Sequence, residues 1–97
     1  MNVGALKVRL RLAENGSLKG KRQVVKSVIQ RVRNRFNVSI AEVEDQDLWQ
    51  QATLGISCVS NQAQHINQIL SQVMNFIEAS HLDAELLDYQ LEILPVL

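Results

Sequence analysis

The sequence is poor in the residues that form disulfide frameworks and membrane spans. Its 97 residues include one cysteine, Cys58, which cannot form an internal disulfide and lies in an apolar run. A lone cysteine in this setting indicates a buried free thiol in a reducing compartment. No stretch reaches the ~18 consecutive apolar residues of a membrane-spanning helix, and the N-terminus alternates charged with apolar residues, unlike a signal peptide. We therefore expect a cytoplasmic protein with no membrane partner.

The sequence also lacks the patterns that usually carry catalysis or bind a cofactor. Residues 15–22 approach a phosphate-binding P-loop, but Asn15 and Arg22 stand where that motif needs glycine and serine or threonine. His65 and His81 have no cysteine or carboxylate at zinc-ligand spacing, and no serine or cysteine nucleophile has an evident base. We therefore expect no enzyme, no metal and no cofactor.

Two kinds of hydrophobic periodicity follow one another along the chain in a regular order. Alternation predicts strands and a spacing of about 3.6 residues predicts helices. The predicted elements are a strand at 3–12, a helix at 17–36 with Ser17 as its N-cap, strands at 37–44 and 52–60, a helix ending near Ser80, and a strand at 87–93. This βαββαβ order predicts one ferredoxin-like α+β domain over residues 1–97, with a four-stranded antiparallel sheet and both helices on one face.

The charges are unequally distributed along the chain, although the formal net charge is zero. All ten Lys and Arg residues lie at or before Arg35, where Glu14 is the only acid, so residues 1–35 carry +10 − 1 = +9 and residues 36–97 carry −9. Seven of the ten cations lie in the first predicted helix. Such an asymmetry indicates a nucleic-acid partner, unless the two halves neutralise each other in the fold.

Part of this positive charge has a structural explanation. In a ferredoxin-like sheet the last strand lies beside the first, so the outward cations Lys7, Arg9 and Arg11 should face Asp88, Gln90 and Glu92. The candidate anion-binding residues are therefore those of the first helix, namely Lys19, Lys21, Arg22, Lys26 and Arg33. We expect contacts mainly to phosphates, because the central strands have no aromatic residues on which bases could stack as in RRM domains.

The predicted β-hairpin contains further candidate features. Its four carboxylates at 42–47 do not follow the EF-hand spacing, and we interpret them as solvated acids that discourage edge pairing. Trp49 is a candidate partner contact, because a large aromatic residue in a polar loop either packs on the end of the domain or is presented to a partner. Ala41 and Val43 lie on the face opposite Ile40, which indicates either a bulge or an apolar patch on the open side of the sheet.

Two segments carry a resemblance to a known family. SLKGKR at 17–22 and FNVSIAEVEDQDLWQQATLG at 36–55, together with the first and last strands, resemble the YlxP-like family of small bacterial proteins. Gly20 stands where that family usually has an acidic or other polar residue. The resemblance implies a ferredoxin-like fold and no assigned reaction, and the family's genes often lie beside translation-initiation and ribosome-maturation genes.

Three functions are compatible with these features. The leading hypothesis is a non-enzymatic RNA- or ribosome-associated accessory protein that contacts phosphates through its basic first helix. The first alternative is a homodimeric protein–protein interaction module joined through Ala41 and Val43 or through Trp49. The second alternative is an ACT-like small-metabolite sensor, because ACT domains share the βαββαβ order.

Overall fold

The computed structural model, which describes residues 1–13, 16–80 and 84–97, contains one four-stranded antiparallel sheet. Its elements are β1 (Asn2–Leu12), α1 (Leu18–Arg35), β2 (Ser39–Glu44), β3 (Gln51–Ser60), α2 (Ala63–Ser80) and β4 (Ala84–Pro95). The strand order across the sheet is β2-β3-β1-β4, so β1 and β3 are central. This arrangement confirms the ferredoxin-like fold. The predictions that concern Asn15 and His81 lie outside the described residues.

The core lies between the sheet and the two helices. Alternate residues of β1, from Leu6 to Leu12, are buried because successive side chains of a strand point to opposite faces. They pack with helix residues at helical spacing, which are Val25, Val28 and Val32 of α1 and Ile66, Leu70, Val73 and Ile77 of α2. Both helices therefore cover the same face of the sheet. In the described part of the chain, neither helix is long and apolar enough to cross a membrane.

The helix α2 approaches β1 closely at Gly4. A Cβ atom at this position would lie 2.2 Å from Ile66 Cγ2 and 2.9 Å from Leu70 Cδ1. Such distances are shorter than any van der Waals contact between carbon atoms, so a side chain would force α2 away from the sheet. Gly4 therefore sets how closely α2 packs on β1.

The helix α1 begins and ends where its sequence predicts. Ser17 Oγ accepts a hydrogen bond of 3.1 Å from the Gly20 N–H, which confirms the predicted N-cap. Phe36 is the C-cap, and its N–H donates to the Val32 carbonyl at 2.8 Å. The Phe36 ring meets Phe76 of α2 edge to face, with 5.6 Å between the ring centroids. This aromatic contact fixes the end of α1 against α2.

The pairing of β2 with β3 explains why both faces of β2 contain apolar residues. Ile40 is buried in the core, whereas Ala41 is exposed on the other face. The register shifts between Glu42 and Glu44, so Val43 lies in a bulge and is 46% exposed. The bulge and the apolar patch that the sequence offered as alternatives therefore occur together.

Candidate nucleic-acid interface

The central cation of β1 is paired with an acid on the open face of the sheet. Arg9 lies opposite Asp88 of β4, and its Nε donates to Asp88 Oδ1 at 2.8 Å while Nη2 donates to Oδ2. The hydrogen bonds from Arg9, helped by its charge, lower the pKa of Asp88, and the same contacts raise the pKa of Arg9. The predicted pairing of β1 with β4 is therefore present at this position.

The other two cations of β1 pair with acids that the sequence did not indicate. A register shift in β4 brings Glu85 opposite Arg11, and the two side chains lie 3.3 Å apart. Lys7 faces a glutamine of β4 but reaches across β3 to Glu44 of β2, at 3.0 Å. Glu92, one of the predicted partners, lies opposite an alanine. The cations of β1 are thus neutralised as predicted, but partly by different residues.

Lys21 has an environment different from that of the other cations of α1. Its side chain is 1% exposed, its Nζ lies 2.9 Å from Glu42 Oε2, and Nζ also donates to the Asp45 carbonyl. Among the described residues, no group donates a well-oriented hydrogen bond to this buried Glu42 oxygen. Its ion pair with Lys21 is therefore the interaction that offsets the cost of burying it. Lys21 therefore holds the β2–β3 hairpin against α1, and this burial removes it from the surface available to an external anion.

Asp45 fixes the conformation of the same hairpin. Its backbone φ of 63° lies in the left-handed region, which aspartate tolerates better than most residues. Its carboxylate accepts hydrogen bonds from Thr53 Oγ1 at 2.7 Å and Gln51 Nε2 at 2.9 Å. The bond from Thr53 is the main cause of the lowered pKa of Asp45, and the bond from Gln51 and nearby cations act in the same direction. The Leu48 N–H donates a hydrogen bond of 3.0 Å to the Asp45 carbonyl, which closes the turn.

These contacts change the interpretation of the acidic segment at 42–47. The sequence predicted solvated acids, but Glu42 pairs with Lys21, Glu44 pairs with Lys7, and Asp45 binds side chains of β3. Over the ranges that the structure describes, no three His, Cys, Asp or Glu side chains are grouped so that they could hold a metal ion. The acidic segment therefore serves to attach the hairpin to the rest of the fold.

The other candidate cations form a row along α1, which we term the basic stripe. It consists of Lys19, Arg22, Lys26 and Arg33, all of which are exposed. Their spacing of three, four and seven residues keeps them on one side of the helix over about 21 Å. Arg33 Nη2 also donates to the Ile40 carbonyl at 3.1 Å, which places the stripe above the β2 edge of the sheet.

The two remaining arginines of α1 lie towards α2. Arg31 donates to the Ser80 carbonyl at the end of α2, at 3.0 Å, and the Arg35 guanidinium lies 5.1 Å from the centre of the Phe76 ring. Because α1 contains no acid and α2 contains only Glu78, the two helices expose six cations and one carboxylate. The fold therefore leaves the positive charge of α1 largely unneutralised within the helix layer.

Trp49 lies in the connection between β2 and β3, where its side chain is 42% exposed and its neighbour Leu48 is 50% exposed. The next residue, Gln50, accepts a hydrogen bond of 2.8 Å from the Leu12 N–H, which attaches this part of the hairpin to the end of β1. Trp49 is therefore held at the edge of the fold with almost half of its surface open to solvent.

Sequence reasoning missed the contacts of Lys21, although the sequence contains a signal for them. Lys21 precedes Val25, Val28 and Val32 by four, seven and eleven residues, so it lies on the buried face of α1. A lysine in that position needs a buried acid nearby, and the acidic hairpin supplies Glu42. No comparable local signal identifies the partners of Lys7 and Arg11, because those depend on the register of β2 and β4.

Comparisons with known proteins give a matching family model, a sequence relative and a structural likeness. The family model described as "Protein of unknown function (DUF503)" matches residues 3–91. The chain is 45% identical over 64 residues to the uncharacterized protein YlxP of Bacillus subtilis strain 168, an alignment that covers 66% of this chain and 70% of that protein. A de novo designed protein with a ferredoxin fold, solved by NMR in solution, matches with a TM-score of 0.56 over 94% of this chain and 85% of its own. Because the two sequences are 11% identical, this likeness concerns the fold alone.

Proposed function

Because this chain belongs to the DUF503 family, whose function is unknown, we propose from its geometry that it is a non-enzymatic accessory protein of the cytoplasm that binds RNA, free or in the ribosome. One observation carries the proposal. Four acids of the second half pair with the three cations of β1 and with Lys21, whereas α1 keeps six exposed cations. The charge asymmetry of the sequence is therefore concentrated on one helix in the fold.

The basic stripe suits a phosphate backbone better than a folded acidic protein. Four long side chains over about 21 Å can reach several phosphates of one strand, and each contact releases condensed counterions. The exposed faces of β1 and β3 carry no aromatic residue, so bases are not expected to stack on the two central strands. Binding through α1 should therefore depend steeply on salt and weakly on sequence.

The test compares two triple variants with equal changes in net charge. The first neutralises the stripe by replacing Lys19, Arg22 and Lys26 with glutamine. The control replaces the exposed α2 residues Gln64, Gln68 and Gln72 with glutamate, so it also lowers the net charge by three. Binding of a labelled single-stranded RNA is measured by fluorescence anisotropy over a range of salt concentrations.

The stripe variant should bind RNA more weakly, and the slope of log K against log salt should become less steep by about 2, because about 0.7 is lost for each phosphate contact on a single strand. The α2 variant should bind nearly as the unmodified protein does. Binding that ignored salt, or that the stripe variant retained in full, would contradict the proposal.

A second candidate function, self-association through the open face of the sheet, is favoured by a specific apolar surface. Val43 borders a depression of about 490 Å³ whose floor includes Ala5, Ala41 and Gly55. Val59 of β3 adds a further exposed apolar side chain, at 62% exposure. Four strands of 11, 6, 10 and 12 residues present roughly 600 Å² per face. Two such faces would bury roughly 1,200 Å², the lower limit for a stable dimer.

Sedimentation velocity over a wide range of concentrations tests this second candidate. A dimer that dissociates when Val43 or Val59 is replaced by glutamate, while the stripe variant remains dimeric, would support it. A protein that stays monomeric at high concentration would exclude this face as the route of self-association.

A further inference from the structure

We propose that two copies of this chain associate edge to edge through β4, with residues 88–94 of one copy pairing antiparallel with the same residues of the other about Leu91. The two four-stranded sheets then join into one continuous sheet. Such pairing does not depend on RNA binding, because β4 is the edge of the sheet opposite β2, and the basic stripe lies above β2. It also uses a different surface from the open face of the sheet.

The two outer strands of the sheet differ in how well they are protected against pairing with another strand. The strand β2 has six residues and a bulge at Val43, and both features discourage further pairing. The strand β4 has twelve residues, and its bulge at Leu87 lies towards its beginning. Residues 88–94 therefore form a regular stretch about 23 Å long. This stretch contains neither lysine nor proline, which commonly block an edge.

The pairing of β1 with β4 shows which backbone groups face the free edge. The Val96 N–H donates to the Met1 carbonyl at 2.7 Å, so these two residues form a hydrogen-bonded pair. Such pairs alternate with non-hydrogen-bonded pairs along an antiparallel ladder, so the even-numbered residues of 88–94 direct their N–H and C=O groups towards β1. Tyr89, Leu91 and Ile93 direct theirs away from β1. In the described part of the chain, no strand lies beyond them.

The side chains of the same three residues form an apolar row along the edge. Each lies opposite a residue of β1 on the face that the helices cover. The helices cover this row incompletely, because Tyr89 is 52% exposed while Leu91 and Ile93 are only partly buried. A second copy placed along the edge would remove more of this apolar surface from water, which favours association by about 25 cal/mol for each Å².

The outward backbone groups match themselves when two copies of the edge pair about Leu91. Leu91 then faces Leu91 of the second copy, and Tyr89 faces Ile93 of the second copy, so outward groups meet only outward groups. Each of these facing pairs exchanges two hydrogen bonds, which gives about six across the interface. The same register continues the apolar row from one copy into the other.

The charges of β4 favour the same register. With Leu91 at the centre, Gln90 faces Glu92 of the second copy. Asp88, which Arg9 already neutralises, faces an apolar residue, so no acid faces an acid. A centre at Gln90 would place Asp88 opposite Glu92, and a centre at Glu92 would place that acid opposite itself. Like charges directly opposite each other are destabilising. This match of the strand with itself identifies the occupant of the edge as a second copy.

Hydrogen exchange of the unmodified protein, followed by NMR at low and high protein concentration, tests the edge directly. The amides of Tyr89, Leu91 and Ile93 should exchange rapidly in the monomer. At a total concentration about tenfold above the dissociation constant, about a fifth of the chains remain monomeric, so these amides should exchange roughly fivefold more slowly. The amides of Gln90 and Glu92, which bond to β1, should exchange slowly at both concentrations.

Sedimentation velocity of variants gives the dissociation constant of the dimer. Tyr89→Pro removes an outward N–H and leaves the ladder to β1 intact, because an edge strand tolerates proline where its N–H faces outward. Tyr89→Glu places a charge in the apolar row. Val59→Glu is the matched control, since it adds the same charge at an exposed residue of β3, away from the edge. Both Tyr89 variants should weaken the dimer at least about tenfold, and Val59→Glu should not.

Three outcomes would overturn the edge dimer. One is a protein that stays monomeric up to the highest concentration that can be reached. Another is equal exchange of the Tyr89, Leu91 and Ile93 amides at both concentrations in a sample that does dimerise. The third is a dimer that Val59→Glu dissociates and the Tyr89 variants do not, because the copies would then meet through the open face of the sheet. The exchange measurement needs no substitution, so it decides the question even if a variant does not fold.

Discussion

Replacing Lys21 with methionine should destabilise the protein, because the substitution removes the cation that joins the β2–β3 hairpin to α1. Methionine keeps a long apolar side chain on the buried face of the helix, so the main loss is the ammonium group. The Glu42 carboxylate then loses its ion pair of 2.9 Å, and the Asp45 carbonyl loses one of its two hydrogen-bond donors but keeps the Leu48 N–H. The main loss is therefore that of the partner of Glu42.

The size of this effect can be bracketed from the burial of the pair. Removing one partner of a fully buried ion pair costs about 3–5 kcal/mol, whereas an exposed pair contributes about 0–1 kcal/mol. The Lys21 side chain is 1% exposed but that of Glu42 is 19% exposed, so water can reach part of the remaining carboxylate. We therefore expect the free energy of unfolding to fall by about 2–3 kcal/mol, out of the ~5–15 kcal/mol typical of a domain.

Urea denaturation near neutral pH, followed by circular dichroism, measures this loss in Lys21→Met, in Glu42→Gln and in the double variant. Because the double variant leaves no unpaired carboxylate, its loss should be about 1–2 kcal/mol smaller than the sum of the two single losses. Lys26→Met is the matched control, since Lys26 is an exposed lysine of the same helix and should change stability by less than about 0.5 kcal/mol. If Lys21→Met were as stable as Lys26→Met, or if the two single losses simply added, the buried pair would not hold the hairpin.

Three further predictions concern other parts of the fold. Gly4→Ala should lower the free energy of unfolding by about 1–3 kcal/mol, because its Cβ would collide with Ile66, and unchanged urea unfolding would show that α2 can move away freely. The folded-state pKa of Asp45 lies below the ordinary value of 3.8, so its contacts stabilise the fold above about pH 3.8 and this contribution is lost as the pH falls through the lowered pKa. Thr53→Val should raise that pKa in an NMR titration of the carboxyl carbon, and an unchanged titration would refute the role of the threonine. Burial raises the pKa of the Cys58 thiol above 9.0, so a thiol reagent near neutral pH should label it slowly until urea unfolds the chain, and rapid labelling of the folded protein would contradict its burial.

Local patterns predicted the elements of the fold well, because each pattern depends on residues that are close in the sequence. Alternation along β1 identified its buried side chains, and the hydroxyl of Ser17 identified the start of α1. The partner of Arg11 could not be predicted in the same way, because it depends on a register shift in β4. Glu44 as the partner of Lys7 depends on the bulge in β2, which the sequence left as one of two alternatives.

The sequence by itself determined the order of the elements, the composition of the core and the excess of positive charge on α1, since periodicity and charge are properties of the local chain. Only the tertiary structure decided which of those cations are available to a partner. It buried Lys21 against Glu42 and paired the cations of β1, because strand register and helix packing bring together residues that are far apart in the sequence. The same packing left Lys19 and Arg22 exposed on α1.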